Sequence, residues 1–342
     1  MSSGNPFSIQ QSTIPIYILK TVITIIVTYN GLKWIDDCLK SVQGSIYPSR
    51  IHIIDNGSTD GTTDFIRKHY PEVELTASPR NLGFGQANNI GMKKAVDERA
   101  DYVFLLNQDA FVEPETIGSL IGVHAADPSL GIISPLHLNG KGSAMDANFL
   151  EYFLRSAVAE WAEGILLEKG EQTLVRTDFV NAAAWLITGD CLRKTGGFDP
   201  VFFHYGEDDN YAQRVRYWEF GIGVLTKARI RHDRESRPGA VSLAQQMKKE
   251  WVRILIYACN IRRPGYRAFI FRRTLRHAVR AVLAGCTLKV PLFRYHFTLA
   301  TRTLGHMGKV GDCRRRSLKQ GWWSWWTGDQ VNSAAAASST NQ

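Results

Sequence analysis

The feature that most constrains the fold is the alternation of short apolar runs with amphipathic segments over residues 21–107. The run VITIIVTYN at 22–30 is apolar and rich in β-branched residues, which is typical of a strand buried on both faces. Residues 31–42 then carry apolar side chains at helical spacing. Three further strand-like runs repeat the pattern, at 51–54, 72–77 and 102–107. Strands that alternate with helices predict an α/β fold with a mixed, mainly parallel sheet flanked by helices.

Polar side chains follow the carboxyl ends of these strands. Asn30, Asp55 and the pair Asn107 and Asp109 stand where an apolar run stops. A carboxylate in such a position can simply cap the next helix, which stabilises it by about 1 kcal/mol. Acids at successive strand ends are better explained by a shared crevice, because ligands bind at that edge of an open α/β sheet.

The rest of the chain is less regular. The pattern predicts helices at 113–126 and 207–220 and strands at 130–138, 179–188, 222–226 and 228–232, and it leaves 139–178 unassigned. The opening residues 1–20 lack the basic region of a signal peptide, so they are predicted to form a flexible leader. Five scattered cysteines without a C-x-x-C pair favour a reducing, cytoplasmic setting.

Charge divides the chain into two parts. Residues 241–342 hold 18 Lys and Arg against three acids, whereas residues 1–240 hold 23 against 29. The pattern therefore predicts an α/β domain over 21–240, a basic helical extension over 241–320, and a tail over 321–342 that is rich in tryptophan and then disordered.

Three consecutive acids, Glu207, Asp208 and Asp209, open a predicted helix. Anions at a helix N-terminus are favourable in themselves, by about 0.3 to 1 kcal/mol each. Adjacent carboxylates also raise one another's pKa, and a carboxylate with a raised pKa can serve as a general base. His232 ends an apolar stretch, where a histidine is more often a packed residue than a ligand. Together with Asp109 it forms a donor set that suits Mn²⁺ or Mg²⁺ completed by phosphate oxygens.

Two glycine-containing loops could contact a nucleotide. DNGSTDG at 55–61 leads into a helix N-terminus, which is a suitable place for an anion. NLGFGQANNIG at 81–91 resembles the dinucleotide motif G-x-G-x-x-G only in part, because position 88 is Asn. A dinucleotide fingerprint is therefore excluded.

Seven stretches in order resemble the family 2 glycosyltransferases, especially their bacterial rhamnosyltransferase-like branch. They are VTYNG, IDNGSTDGT, NLGFGQANNIG, LLNQDA, NAAAWLI, GGFDPVFFHYGEDDNYAQRVRYWEFG and ARIRHDRES, and they cover about residues 21–240. The resemblance implies a Rossmann-like GT-A fold that binds a nucleotide-diphosphate sugar, of the dTDP-rhamnose or UDP-hexose type, together with Mn²⁺ or Mg²⁺. It also implies transfer with inversion to a hydroxyl of a glycan or a polyprenyl-diphosphate-linked glycan in bacterial surface polysaccharide synthesis.

The resemblance also assigns residues to roles. The donor-binding residues it implies are Thr28, Tyr29, Asn30, Asp55, Asn56, Arg80, Asn81, Gly83, Asn88, Asn107 and Gln108. Asp109 would hold the metal, with His232 as a further ligand. Asp208 would be the catalytic base, with Glu207 and Asp209 as substitutes. The family's Asp-x-Asp motif reads Asn107-Gln108-Asp109 here. Because the first carboxylate is missing, we expect weaker binding of the metal.

Two interpretations of the basic extension remain open. It can be a helical appendage packed on the catalytic domain, or it can bind an anionic membrane surface, since clustered Lys and Arg contribute about 1 kcal/mol each near anionic lipid. The tryptophans of GWWSWW at 321–326 could then lie at the headgroup level. This second interpretation predicts a cytoplasmic protein that is peripheral on the inner face of the bacterial cell membrane.

Two other function classes compete with sugar transfer. A nucleotidyltransferase would also place a nucleotide and a metal at the sheet edge, but VTYNG lacks the basic residue expected after the first strand. A non-catalytic module could bind an anionic ligand such as nucleic acid through the basic end. The acidic balance of residues 1–240 and the lack of a nucleic-acid-binding motif argue against a nucleic-acid partner.

Overall fold

The computed structural model describes residues 19–156, 174–234 and 242–323. The predicted leader before residue 19 and the predicted disordered tail after residue 323 lie outside the described residues.

Residues 22–107 form a parallel half-sheet with helical crossovers. Its strands are β1 (Val22–Thr28), β2 (Arg50–Asp55), β3 (Glu74–Ala77) and β4 (Tyr102–Asn107). The helices between them are α1 (Ile35–Gln43), α2 (Thr62–His69) and α3 (Phe84–Asp97). The spatial order is β3-β2-β1-β4, with every neighbouring pair parallel. All four strands therefore end at one edge, as predicted.

The second half of the sheet is mixed. It contains β5 (Ala110–Val112), β6 (Leu130–Asn139), β7 (Leu174–Arg176), β8 (Ala184–Thr188) and β9 (Gly221–His232). The order continues from β4 as β8-β6-β9-β5, and β7 pairs with β9. The helices of this half are α4 (Thr116–Ala126), α5 (Ala147–Ser156), α6 (Gly189–Thr195) and α7 (Glu207–Tyr217). The α/β class with a mixed, helix-flanked sheet is thus confirmed.

Three predicted elements differ from the structure. The strands expected at 222–226 and 228–232 are one strand, β9, whose pairing with β6 shifts register between Pro135 and Leu136. The strand expected at 179–188 begins only at Ala184, because the residues before it turn into a pocket. Sequence periodicity also missed β5, which is too short for an alternating pattern to be detected.

The sheet is buried on both faces. In β4, Val103 and Leu105 belong to one apolar cluster, and Phe104 and Leu106 belong to another on the opposite face. Alternate side chains of a strand point to opposite faces, so an unbroken apolar run is what this position requires. Each such side chain contributes about 1.5 to 3 kcal/mol by its burial. These two layers hold the polar strand ends rigidly in place.

The basic C-terminal region is helical, as predicted. It contains α8 (Leu243–Cys259), α9 (Tyr266–Cys286), α10 (Val290–Gly305) and α11 (Met307–Ser317). Ser242 begins α8 with a capping box completed by Gln245. None of the helices in the described ranges combines the length and the apolar character that a membrane crossing requires.

The extension packs on the catalytic domain through a third apolar cluster, which combines Trp251 and Leu255 of α8 with Phe202. A second tie is the bidentate pair between Arg316 and Asp199, with N–O distances of 2.9 and 2.8 Å and with Asp199 only 1% exposed.

Two of the four tail tryptophans also contact the catalytic domain. The carbonyl of Trp322 accepts a hydrogen bond from the Gly197 N–H at 3.1 Å, and Trp323 packs against the main core. The packed region therefore runs to residue 323, past the predicted boundary at 320. The glycines at 196 and 197 leave room for the Trp322 backbone and the Trp323 ring to pack against them.

Candidate active site

Two pockets adjoin at the carboxyl edge of the sheet. One has a volume of about 540 Å³ and the other about 500 Å³. They share four lining residues, which are Phe84, Asn107, Asp109 and His204. Asp109 therefore stands where the two cavities meet.

We call the smaller cavity the amide pocket and the larger one the acidic pocket. Besides the shared residues, the amide pocket is lined by Val27, Tyr29, Asn81, Gly83, Gln108, Phe203 and Lys248. The other residues of the acidic pocket are Trp34, Asn148, Tyr152, Asn181, Ala182, Ala183, Tyr205, Glu207, Asp208, His232 and Arg234. Five predicted donor-binding residues thus line the amide pocket: Tyr29, Asn81, Gly83, Asn107 and Gln108.

The amide of Gln108 locks the end of β1 beside the amide pocket. Its Oε1 accepts hydrogen bonds from Thr28 Oγ1 at 2.7 Å and from the Tyr29 N–H at 2.9 Å. A Cβ on Gly31 would lie 2.3 Å from the same oxygen, so only glycine fits there. Thr28 is fully buried and supports this loop. It was predicted to bind the donor, but it does not line the amide pocket.

The loops after β1 and β2 are tied together by Asn30. Its backbone N–H donates to Ser58 Oγ at 2.9 Å, and its Oδ1 accepts from the Thr59 N–H at 2.8 Å. Asp55 is buried, and its Oδ2 accepts from the Ser58 N–H at 3.1 Å. The other oxygen of Asp55, Oδ1, is buried and has no hydrogen-bond partner among the described residues. An unpaired buried oxygen of this kind is available to a donor group of a ligand.

The remaining predicted donor residues differ in their placement. Buried Asn56 donates to Asn81 Oδ1 at 3.1 Å and accepts from the Leu82 N–H at 2.8 Å, so it shapes the wall behind Asn81. Asn88 is buried and donates to the carbonyl of Phe84 within its own helix at 3.0 Å. Both side chains were predicted to bind the donor. Neither lines the amide pocket, because each forms an internal hydrogen bond. Arg80 is exposed, outside the lining of the amide pocket.

The acidic pocket brings Asp109 and His232 together. Their Oδ1 and Nε2 atoms are 3.2 Å apart. The contact exists because β5 pairs antiparallel with β9, with Ala110 opposite His232. On the other side of the ring, Nδ1 accepts a hydrogen bond from Arg234 Nε at 3.3 Å and lies 3.7 Å from Asp146 Oδ2.

This donor set fits a divalent cation. One carboxylate and one imidazole face the same cavity. A cation on Nε2 would require the ring proton to lie on Nδ1, in place of the hydrogen bond from Arg234, and the Asp146 carboxylate, 3.7 Å from Nδ1, is placed to orient that form of the ring. Within the described residues, no group of three or more His, Cys, Asp or Glu side chains is arranged to hold a metal alone. Further ligands would have to be diphosphate oxygens and water, which is how Mg²⁺ is usually held beside a nucleotide.

Glu207 and Asp208 enter the acidic pocket from the N-terminus of α7, while Asp209 lies outside its lining. Burial, reinforced by the charge of Asp208, raises the pKa of both Glu207 and Asp209 to about 8. Burial also raises the pKa of Asp208, against the opposing effect of backbone N–H groups that bond to its carboxylate. The charge of Asp208 thus favours the protonated forms of its two neighbours at neutral pH.

The structure adds pocket residues that sequence reasoning missed. Asp146, Asn148 and Tyr152 fall in the segment at 139–178, which the sequence pattern left unassigned although residues 147–156 form the amphipathic helix α5. Lys248 comes from α8 of the extension and reaches the amide pocket, where its Nζ lies 5.1 Å from the centre of the Tyr205 ring. The predicted domain boundary at residue 240 assigned Lys248 to the extension, so the sequence did not indicate that this residue lines the amide pocket.

Residues 23–152 match the sequence profile of the family described as glycosyl transferase family 2. The chain is 25% identical over 209 residues to an N-acetylglucosaminyl-diphospho-decaprenol L-rhamnosyltransferase of Mycobacterium tuberculosis, covering 55% of this chain and 68% of the relative. It is 24% identical over 221 residues to the O-antigen chain rhamnosyltransferase RfbN of Salmonella typhimurium, covering 63% and 67%.

Solved structures agree on the fold. A mannosyltransferase from Pyrobaculum calidifontis, in complex with GDP-Man and Mn²⁺, superposes with a TM-score of 0.52 at 17% identity and covers 87% of this chain and 88% of its own. GalNAc-T7 with UDP, GalNAc and Mn²⁺ gives 0.51 at 16% identity, covering 71% and 51%. The architecture is thus the GT-A fold.

Proposed function

Since this chain belongs to the family 2 glycosyltransferases, in their rhamnosyltransferase-like branch, we propose that it transfers a sugar from a nucleotide-diphosphate sugar to a hydroxyl group with inversion at the anomeric carbon. The observation that carries this proposal is the position of Asp109 between the amide pocket and the acidic pocket. A donor would place its nucleotide in the amide pocket and its sugar toward the acidic pocket. Membership of this family leaves no support for the nucleotidyltransferase and non-catalytic alternatives.

Asp109 and His232 would hold Mn²⁺ or Mg²⁺ against the donor diphosphate. The cation would supply charge neutralisation for the leaving nucleoside diphosphate. Lys248 adds a positive charge at the amide pocket, which would neutralise part of the diphosphate charge where Asn107 leaves the cation less firmly bound. Gln108 keeps the end of β1 fixed, so these groups are oriented before the substrate arrives.

The reaction then needs a base, and Asp208 is our candidate. Its carboxylate takes the proton of the acceptor hydroxyl, and the acceptor oxygen forms a bond to the anomeric carbon. The bond from that carbon to the diphosphate oxygen breaks, and the leaving group keeps the electron pair. A single displacement of this kind inverts the configuration. Glu207, protonated at neutral pH, can donate a hydrogen bond within the same pocket.

For the substrates we propose a donor of the dTDP-rhamnose or UDP-hexose type and a glycan or polyprenyl-diphosphate-linked acceptor, in bacterial surface polysaccharide synthesis. The two rhamnosyltransferase relatives support this choice. The test is a panel of nucleotide sugars incubated with the purified full chain, Mn²⁺ or Mg²⁺ and a short lipid-diphosphate-linked N-acetylglucosamine. The proposal is supported if a single donor yields product and if the new glycosidic bond has the anomeric configuration opposite to that of the donor. Hydrolysis or transfer with retained configuration would refute it.

We further propose that the extension places the enzyme on the inner face of the cell membrane. The α9–α10 hairpin exposes a stripe of apolar side chains, including Leu275, Val279 and Leu283, each at least half exposed. The hairpin carries several arginines and no acid between residues 266 and 305. This combination suits an anionic membrane interface.

Removing residues 241–342 is a poor test of membrane binding, because the extension shares a core with the catalytic domain. A sharper test compares flotation with anionic vesicles for the triple variant Leu275→Gln/Val279→Gln/Leu283→Gln and for Ile46→Gln, which changes an exposed apolar residue of the catalytic domain. Loss of flotation in the triple variant alone supports the surface. Equal flotation of both variants refutes it.

A further inference from the structure

A separate cavity lies inside the basic extension. It has a volume of about 260 Å³ and is formed between α8, α9 and α10. Its lining residues are Glu250, Arg273, Arg276, His277, Arg280, Tyr295 and His296. The sugar-transfer mechanism uses none of them.

The lining is basic because of helical spacing along α9. Arg273, Arg276 and Arg280 follow at intervals of three and four residues, so one face of the helix presents three guanidinium groups. The single acid of the lining, Glu250, has its Oε1 3.4 Å from Arg273 Nη1. Arg276 and Arg280 have no ion pair with any residue in the described part of the chain. Like charges gathered this way repel one another, so the arrangement favours a bound anion.

His277 supplies an independent observation. It is only 3% exposed, and its Nδ1 lies 3.0 Å from Nδ1 of His296. Its other nitrogen, Nε2, is buried without a hydrogen-bond partner in the described structure and stands 4.0 Å from Glu250 Oε1. Burial, the neighbouring His296 and the arginines lower the pKa of His277 to about 4, so the ring is neutral at pH 7. When His296 donates within the pair, Nε2 of His277 carries a proton and is a free donor at the cavity.

We propose that this cavity binds a phosphate or diphosphate group of a lipid through Arg276, Arg280 and His277 Nε2. Planar guanidinium groups bind phosphate oxygens in pairs, and a phosphate oxygen would satisfy the unpaired imidazole N–H. The apolar stripe of Leu275, Val279 and Leu283 runs along the same helix, which favours a phosphate attached to an acyl or prenyl chain. The inference deepens the proposed membrane association and does not depend on sugar transfer.

The test follows the His277 imidazole nitrogens by NMR in the full chain while inorganic pyrophosphate is added. We expect a saturable shift of the Nε2 signal in the unchanged protein. In Arg276→Gln/Arg280→Gln the apparent affinity should fall at least about tenfold, because two charged hydrogen-bond donors are lost. The control Arg272→Gln/Arg294→Gln removes the same charge from exposed positions outside the cavity and should change the affinity less than about twofold.

Two further ligands identify the source of the phosphate. Farnesyl diphosphate binding most tightly would indicate a prenyl diphosphate, and dihexanoyl phosphatidylglycerol binding most tightly would indicate a phospholipid headgroup. The proposed lipid-phosphate site is refuted if neither lipid binds more tightly than pyrophosphate. It is also refuted if the two double variants lose the same amount of affinity. Transfer to a soluble acceptor should stay within about twofold in Arg276→Gln/Arg280→Gln, which separates failure of this site from failure of the proposed reaction.

Discussion

The carboxylate of Asp109 and the imidazole of His232 lie 3.2 Å apart, although they leave the sheet on two different strands. The antiparallel pairing of β5 with β9 creates this contact, and Asp146 stands behind the ring at 3.7 Å from its Nδ1. The pair is therefore preformed, which reduces the ordering that a ligand would have to induce.

The first prediction concerns this pair. Asp109→Asn should lower transfer at least about 100-fold, because it removes the one carboxylate proposed to hold the cation. His232→Gln should weaken Mn²⁺ binding in the presence of nucleoside diphosphate, and Asp146→Asn should weaken it about tenfold by leaving the ring unsupported. A transfer assay measures the rate of Asp109→Asn, and isothermal titration with Mn²⁺ measures cation binding in all three variants. Unchanged Mn²⁺ affinity in both Asp109→Asn and His232→Gln would contradict the assignment.

The second prediction separates two adjacent acids. Asp208→Asn should reduce the rate about 100-fold or more, since a general base contributes roughly 10² to 10⁴. Glu207→Gln should retain the rate within a few fold at pH 7, because a neutral amide replaces an acid that is already neutral. Single-turnover kinetics with saturating donor distinguish the two variants. The reverse ranking would make Glu207 the base.

The third prediction concerns the pH dependence of stability. The pKa of Glu207 is raised from 4.5 to about 8, so the unfolded chain gives up this proton at lower pH than the folded protein does. Its contribution to stability is complete below about pH 4.5 and is lost as the pH rises toward 8. Thermal unfolding between pH 5 and 8 should therefore show a smaller decline in Tm for Glu207→Gln than for the unchanged protein. The control Glu115→Gln changes an exposed position and should leave the decline of Tm with pH unchanged. An identical decline in all three proteins would contradict the raised pKa of Glu207.

The fourth prediction tests the contribution of the extension to donor binding. Lys248→Gln should raise KM for the donor about five- to tenfold with a smaller change in kcat, because one charged contact to the diphosphate is lost at a partly exposed position. Lys249→Gln removes the same charge one residue further along and should have less than a twofold effect. Equal effects of the two variants would show that only the overall charge matters.

The sequence predicted the parallel half of the sheet closely because its strands are continuous apolar runs that end on polar residues. The same signal located Asp109 at the carboxyl edge of the sheet, whereas Glu207 and Asp208 were singled out by the acid triplet that opens a helix and by the family resemblance. It could not show that Thr28 and Asn56 would turn inward, since polar residues at a strand end have the same pattern whether they face a ligand or a neighbouring loop. That distinction depends on partners distant in the chain. Asn88, inside α3, bonds to its own helix, and the sequence carried no pattern that would distinguish this.

Elements without periodicity were harder to predict. A three-residue strand such as β5 carries too few side chains to establish a period. The turn that holds Asp146, just before α5, has no pattern of its own, yet it places this carboxylate behind His232. Lys248 was missed for another reason. Charge counts separated the extension from the catalytic domain, whereas packing joins them.

The ion pair between Asp199 and Arg316 has a consequence for the order of synthesis. Asp199 is buried in the segment that leads to the catalytic helix α7, and its partner is made 117 residues later. A nascent chain that ends before residue 316 lacks this partner, so the Asp199 carboxylate has to stay hydrated until α11 is made. The segment before α7 is thus docked against the extension only after residue 316 has been synthesised.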